Sequence, residues 1–206
     1  MTESDRLESG VDGSPPATPP PGRTLILGPS NVGKTRATAA ALSGWVAEHG
    51  TGGVVVFEFA PAVYRDGTLL GGRLSRFVDV PAGVWHGTLA AHAPRAEGAD
   101  ESASVALAED NARRAAELFA AAPDPRAVFV NDATIPFQHD RLSTDVFERY
   151  TADATCVVAN AFESDELGTD DPVSTAEREA LSALSDWTER VVRLPDECVP
   201  WTMTRR

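Results

Sequence analysis

The chain has 206 residues, with 31 acidic against 18 basic side chains and a formal net charge of −13. This length suits one α/β domain with a sizeable core, and the acidity argues against nucleic acid or anionic membranes as partners. Two cysteines without a CxxC pair, no membrane-length apolar stretch and no signal-peptide layout predict a cytoplasmic protein.

The basic residues are almost all arginine. Seventeen of the 18 are Arg, and the single Lys is Lys34. This acidic, Lys-poor and Ala-rich composition resembles that of cytoplasmic proteins from salt-accumulating halophiles, although GC-rich coding would also favour Arg and Ala. The single Lys therefore marks its position as a candidate functional residue.

The N-terminal third contains a tail, two strands and a helix. Residues 1–22 are polar and Pro-rich, which predicts a disordered tail or a partner-binding arm before one domain over 23–206. TLIL at 24–27 predicts a short buried strand, and a helix is expected from Lys34 to His49. Three glycines end that helix, and VVVFEF at 54–59 predicts the second strand.

The remainder alternates between helical and strand patterns. Arg-Asp-Gly at 65–67 indicates a hairpin, and the weakly patterned segment 81–103 indicates a loop or lid. Alternating strands and helices predict a mainly parallel sheet. We therefore expect a three-layer α/β/α sandwich with five strands and a β-ribbon after strand two. The further elements are a helix at 104–121, a strand at 127–132, a helix around 141–152, a strand at 154–161, a helix at 174–191 and a strand at 190–195. In the last of these helices, Ser174 and Glu177 have the spacing of a capping box.

Residues 28–35, GPSNVGKT, match the pattern GxxxxGK[ST] between a predicted strand and a predicted helix. Glycines let successive backbone N–H groups face one anion, and the helix N-terminus adds further donors. Lys34 is expected to reach the β- and γ-phosphates, and the Thr35 hydroxyl to bind Mg²⁺. The sequence thus predicts a P-loop for Mg²⁺ and ATP or GTP, formed by Gly28, Pro29, Ser30, Asn31, Val32, Gly33, Lys34, Thr35 and Arg36.

A second element of such a site is an acid at the end of a buried strand. Asp132 follows AVFVN and is the first candidate for a catalytic carboxylate and, with Thr35, for a Mg²⁺ ligand. Glu58 is the second candidate, because a buried carboxylate in strand two needs a partner or a function. Asp79 is a third.

The group that would activate water is not obvious. Many P-loop hydrolases place Glu directly after this Asp, whereas this chain has Ala133. Glu58, Gln138, His139 or Asp140 could orient a water or accept its proton. Positive charge at the γ-phosphate could come from Arg73, Arg76 or Arg141, which could equally pair with surface acids.

Two further groups of residues have side chains that could bind a metal or a ligand. His86 and His92 are six residues apart without a third ligand, so they do not predict a zinc site, and Trp85 belongs to a lid, a base-stacking wall or the core. Asn160 lies at a predicted strand end and could contact a phosphate or the base. The guanine-reading NKxD motif is absent, which disfavours a switch-type GTPase.

The chain resembles the small THEP-type nucleoside-triphosphatases over roughly residues 23–195. RTLILGPSNVGKT matches their first unit, the stretch after 54 looks like their ribbon, and VFVNDATIPF lies where they have a strand ending in Asp-Glu-Ile-Gly-Pro. The resemblance implies hydrolysis of several triphosphates. Ala133 and the segment 81–103 depart from it. A small-molecule kinase and a slow regulatory module with a protein partner remain alternatives, with the oligomeric state open.

Overall fold

A computed structural model describes residues 17–61, 63–65, 68–70, 72–164 and 170–194, with the backbone alone for 63–65 and 68–70. Residues 1–16 of the predicted tail, the hairpin turn at 66–67 and Cys198 lie outside the described residues. The chain contacts the domain at Thr18, whose hydroxyl donates to the carbonyl of Gly44 at 3.1 Å.

Six parallel strands form one sheet, in the spatial order β5-β2-β6-β7-β1-β8, and a separate antiparallel hairpin joins β3 to β4. The strands are β1 Gly22–Gly28, β2 Val54–Glu58, β3 Val63–Arg65, β4 Thr68–Leu70, β5 Trp85–Thr88, β6 Ala127–Asn131, β7 Cys156–Phe162 and β8 Arg190–Arg193. The prediction of an α/β fold with a mainly parallel sheet is confirmed.

Five helices accompany the sheet in the described part of the chain. They are α1 Lys34–His49, α2 Pro94–Glu97, α3 Glu101–Ala121, α4 Thr144–Tyr150 and α5 Pro172–Trp187, with short 3₁₀ turns at Leu74–Arg76 and Ile135–Phe137. None of the helices described is long and apolar enough to cross a bilayer.

The prediction of five sheet strands is wrong, because β5 adds a sixth within the segment expected to be a loop or lid. Its sequence, WHGT, is short and contains Gly and His, so local β-propensity gives no signal. The strand forms by pairing with β2, where Val55 lies opposite Trp85. Trp85 also packs against Phe57 with ring centroids 5.4 Å apart.

Side chains alternate across the sheet and produce two apolar cores. Leu25, Phe57 and Val130 point to the face covered by α3, α4 and α5. Ile26 and Phe129 point to the opposite face, covered by α1. This alternation is the period-two pattern of strands buried on both sides, so the sheet is the middle of three layers.

The chain leaves β1 and β7 toward opposite faces. β1 is followed by α1 on one face, while β7 is followed by α5 on the other. The two strands are neighbours, with Gly28 opposite Phe162 at their carboxyl ends. A crevice opens outside such strand ends wherever the connections diverge, and ligands of open α/β sheets bind there.

Candidate functional site

The loop between β1 and α1 has the backbone geometry of an anion cradle. Asn31 and Gly33 have φ of 63° and 101°, and Gly28 has φ of 150°. A Cβ on Gly28 would lie 2.8 Å from the carbonyl oxygen of Leu194, so this residue must be glycine. No side chain of the described residues caps α1, which leaves the N–H groups of its first turn for a ligand.

The ammonium group of Lys34 lies over this loop. Its Nζ donates to the carbonyl of Gly28 at 2.7 Å and to that of Pro29, and it is 5.8 Å from the centre of the Phe162 ring. Lys34 is thus held at the loop by backbone carbonyls. Its flexible stem allows the same ammonium to turn toward a phosphate bound in the cradle.

A buried row of polar side chains lies under the loop, on the α1 face of the sheet. Thr35 donates through Oγ1 to Oδ1 of Asn131 at 3.2 Å, and Asn160 donates to the same oxygen at 3.1 Å. Asn160 also donates to the hydroxyl of Thr38 at 2.9 Å. These bonds fix the end of β6 against the first turns of α1. The sequence analysis missed Asn131 and Thr38.

Asp132 follows Asn131 in the chain, so side-chain alternation turns it away from that row and toward Glu177 and Arg95, and its φ of 64° is left-handed. Its N–H donates to Oδ1 of Asn160 at 3.1 Å, while its own Oδ1 is buried without a hydrogen-bond partner among the described residues. Burial, followed by the negative charge of Glu177, raises the pKa of Asp132 to about 7, and Lys34 acts in the opposite direction. A buried carboxylate oxygen without a partner needs an explanation, and a ligand is one.

Glu58 belongs to the polar row but not to the loop. It is 1% exposed, and its Oε1 accepts from the N–H of Leu74 at 2.9 Å. Its Oε2 has no partner within the described ranges, and desolvation raises its pKa. Since Glu58 and Asn131 are register partners in β2 and β6, Glu58 is one strand further from the loop.

The other candidates differ in exposure and in the partners that they have. His139 contacts Asp140, whose side chain is 97% exposed. Gln138 is 2% exposed, with an unpartnered amide in the described part of the protein. Arg141 pairs with Glu109, Arg76 lies over Phe77, Asp79 is exposed, and Arg73 is near enough to Glu58 to lower its pKa.

The two histidines weighed as metal ligands have separate surroundings. His92 contacts Glu97 and Asp110 at 3.3 and 3.2 Å, and His86 lies in β5. The described residues contain no group of three or more His, Cys, Asp or Glu that could hold a metal ion. Any ion at the loop would therefore depend on oxygen atoms of a ligand.

Glu177 is a further residue whose role at the site was not predicted from the sequence. It is 5% exposed; its Oε1 accepts from Thr134 at 3.0 Å and its Oε2 pairs with Arg95 at 2.5 Å. Arg95 comes from α2 and also donates to Ser174 at 3.1 Å. Ser174 is not the helix cap that its spacing suggests, because the cap is Asp171, which accepts from the Ser174 N–H.

No protein-family model matches the chain, and no curated protein matches it in sequence. The resemblance to THEP-type nucleoside-triphosphatases therefore stays a prediction, and the functional argument rests on the site.

Proposed function

We propose that the chain binds Mg²⁺ and a nucleoside triphosphate, ATP or GTP, at the P-loop of residues 28–36 and cleaves the γ-phosphate. One observation carries this proposal. The glycine loop, the uncapped start of α1 and Lys34 lie together at the carboxyl end of β1, and the charge of Lys34 acts on Asp132, whose Oδ1 is unpartnered among the described residues. The loop, the helix start and Lys34 favour a polyphosphate, and the carboxylate favours the cation that accompanies it.

Binding would begin with the backbone. The N–H groups of the loop and of the first turn of α1 would take the β-phosphate, with Gly33 and Asn31 in the left-handed conformations that turn donors inward. Lys34 would exchange its carbonyl contacts at Gly28 for the β- and γ-phosphate oxygens. Arg36 is exposed at the helix start, where it adds charge without contact.

The residues present suit Mg²⁺. Thr35 donates its hydroxyl proton to Asn131, so the lone pairs of Oγ1 are available to a cation. Asp132 turns away from Thr35, so it would act on the ion through a bound water, and phosphate oxygens and other waters would supply the remaining ligands. When bound, Mg²⁺ would neutralise charge on the β- and γ-phosphates.

Asp132 is also the better candidate for activating water. In the step, a water oxygen bonds to the γ-phosphorus, the bond to the bridging oxygen breaks with its electron pair leaving on the diphosphate, and Asp132 receives the water proton. Burial raises the pKa of Asp132, which makes it a stronger base than an exposed carboxylate. Asp132 therefore supplies the carboxylate that Ala133 cannot, and Glu58 is left with a structural role.

Two variants test this assignment. Asp132→Asn is expected to bind the Mg²⁺ complex of a non-hydrolysable ATP analogue within about threefold of wild type, while phosphate release falls by about 100-fold or more. Glu58→Gln is expected to retain phosphate release. Equal release from wild type and Asp132→Asn would remove Asp132 from the chemistry, and loss in Glu58→Gln alone would transfer the role to Glu58.

A further inference from the structure

A cavity lies beside the P-loop, between the end of β7 and the start of α5. Its volume is about 250 Å³, and its walls include Arg95, Phe162, Ser164, Ser174 and Arg178. It lies at the carboxyl end of β7, and ligands of open α/β sheets bind outside such strand ends.

Two contacts join this cavity to the triphosphate site. On one side, the N–H of Glu163 donates to the carbonyl of Gly28 at 3.1 Å, and Phe162 lies under the Lys34 ammonium. On the other side, Thr134, two residues after Asp132, donates to Glu177 in the cavity wall. A molecule in the cavity would thus lie between the P-loop and the segment that carries Asp132.

The chemistry of the walls favours an anion. Arg95 uses Nη1 for both Glu177 and Ser174, and a guanidinium carries five N–H donors in all. The acidic wall residues are already engaged: both oxygens of Glu177 have partners, and Glu163 pairs with Arg193 at 3.0 Å.

The wall also contains features that suit a small organic ligand. Ser164 and Ser174 bring hydroxyl groups, while Phe162 and Leu181 supply apolar surface. A phosphate or carboxylate fits the planar fork of Arg95, and the limited volume restricts the remainder of the ligand to a small hydroxylated group.

We propose that this cavity is the acceptor site for a small compound that carries a phosphate or carboxylate and a hydroxyl group, and that this hydroxyl receives the γ-phosphate. The inference rests on the proposed triphosphate site. In the transfer, the acceptor oxygen bonds to the γ-phosphorus, the bond to the bridging oxygen breaks, the diphosphate leaves with the electron pair, and the hydroxyl proton is released to water.

The test uses the full chain saturated with Mg²⁺ and a non-hydrolysable ATP analogue. Glycerol 3-phosphate and glycerate are titrated by calorimetry, because they present a phosphate and a carboxylate on similar hydroxylated frames. The first variant is the double change Arg95→Gln with Glu177→Gln, which removes both charges and leaves neither buried group unpaired. Arg141→Gln is the matched control, since Arg141 pairs with Glu109 on the surface.

At least one of the two compounds is expected to bind, and its affinity should fall about tenfold or more in the double variant and stay unchanged in Arg141→Gln. With ATP, ³¹P NMR should then show a new phosphorylated product. The inference is overturned if neither compound binds up to about 20 mM, if the double variant binds equally well, or if binding competes with the nucleotide. Failure of nucleotide binding itself would instead refute the proposed triphosphate site.

Discussion

Replacing Asp132 with Asn should make the metal-free protein more stable at pH 8 while it removes phosphate release. Asn is nearly isosteric with Asp, and both tolerate the left-handed φ of 64° at this position. The substitution therefore removes one buried negative charge and little else. An active-site carboxylate retained at a cost in stability is expected where function requires it.

The magnitude follows from proton linkage. Burial and Glu177 raise the pKa of Asp132 from 3.8 to about 7, so the folded state holds the proton more tightly than the unfolded state does. The destabilisation is absent below about pH 4, grows as the pH rises from 4 to 7 and is complete above 7. At 1.36 kcal/mol for each pKa unit, the full shift would destabilise the folded state by about 4 kcal/mol. Because the residue is half-buried and solvent screens part of the effect, we expect about 2–4 kcal/mol.

The assay is thermal or urea unfolding in EDTA, at pH 4.5 and pH 8, with wild type, Asp132→Asn and Asp140→Asn. At pH 8, Asp132→Asn should unfold about 4–16 °C higher than wild type, and the difference should shrink at pH 4.5. Asp140→Asn should change nothing, because that carboxylate is 97% exposed. A variant that is less stable at pH 8, or equally stabilised at both pH values, would refute the linkage argument.

Three further predictions concern the scaffold of the site. Gly28→Ala should destabilise the protein by about 2–4 kcal/mol in urea unfolding, because the added Cβ would lie 2.8 Å from a backbone oxygen. Gly52→Ala, where no described atom lies within 4 Å of the added Cβ, should cost under about 1 kcal/mol. Equal effects of the two substitutions would contradict the steric explanation. Asn131→Ala should cost about 2–3 kcal/mol through lost bonds under the P-loop, and a neutral result would show that row to be dispensable. Glu177→Ala should lower the unfolding temperature more than Glu177→Gln, since Ala leaves a guanidinium unpaired; the reverse order would contradict this.

The part of the site set by local sequence was predictable. The helix expected from Lys34 to His49 has those bounds in the structure, because a glycine precedes it and glycines follow it. The alternation of side chains in β6 also predicts which residue faces α1. Phe129 and Asn131 lie on the same side of the strand, so Asn131 faces α1 and the next residue, Asp132, cannot take its place in the polar row.

The part set by tertiary contacts was not predictable in the same way. Arg95 reaches the site from α2, a four-residue helix in a segment without clear periodicity, and its partner lies 82 positions away at Glu177. The burial of Glu177 itself was predictable from the sequence, because Glu177 shares the helical spacing of Ala180 and Leu184, which form the buried face of α5. The capping-box spacing of Ser174 and Glu177 instead indicates a residue at the helix start, which conflicts with the prediction that Glu177 is buried.

The central claim is that a triphosphate binds through Lys34, the only lysine of the chain. The most direct test measures Mg²⁺-dependent binding of ATP and GTP and phosphate release in molar KCl, for wild type, Lys34→Ala and Arg141→Ala. Wild type and Arg141→Ala should bind nucleotide and release phosphate, and Lys34→Ala should do neither. Absence of nucleotide binding by wild type, or equal binding and release by Lys34→Ala, would contradict the account.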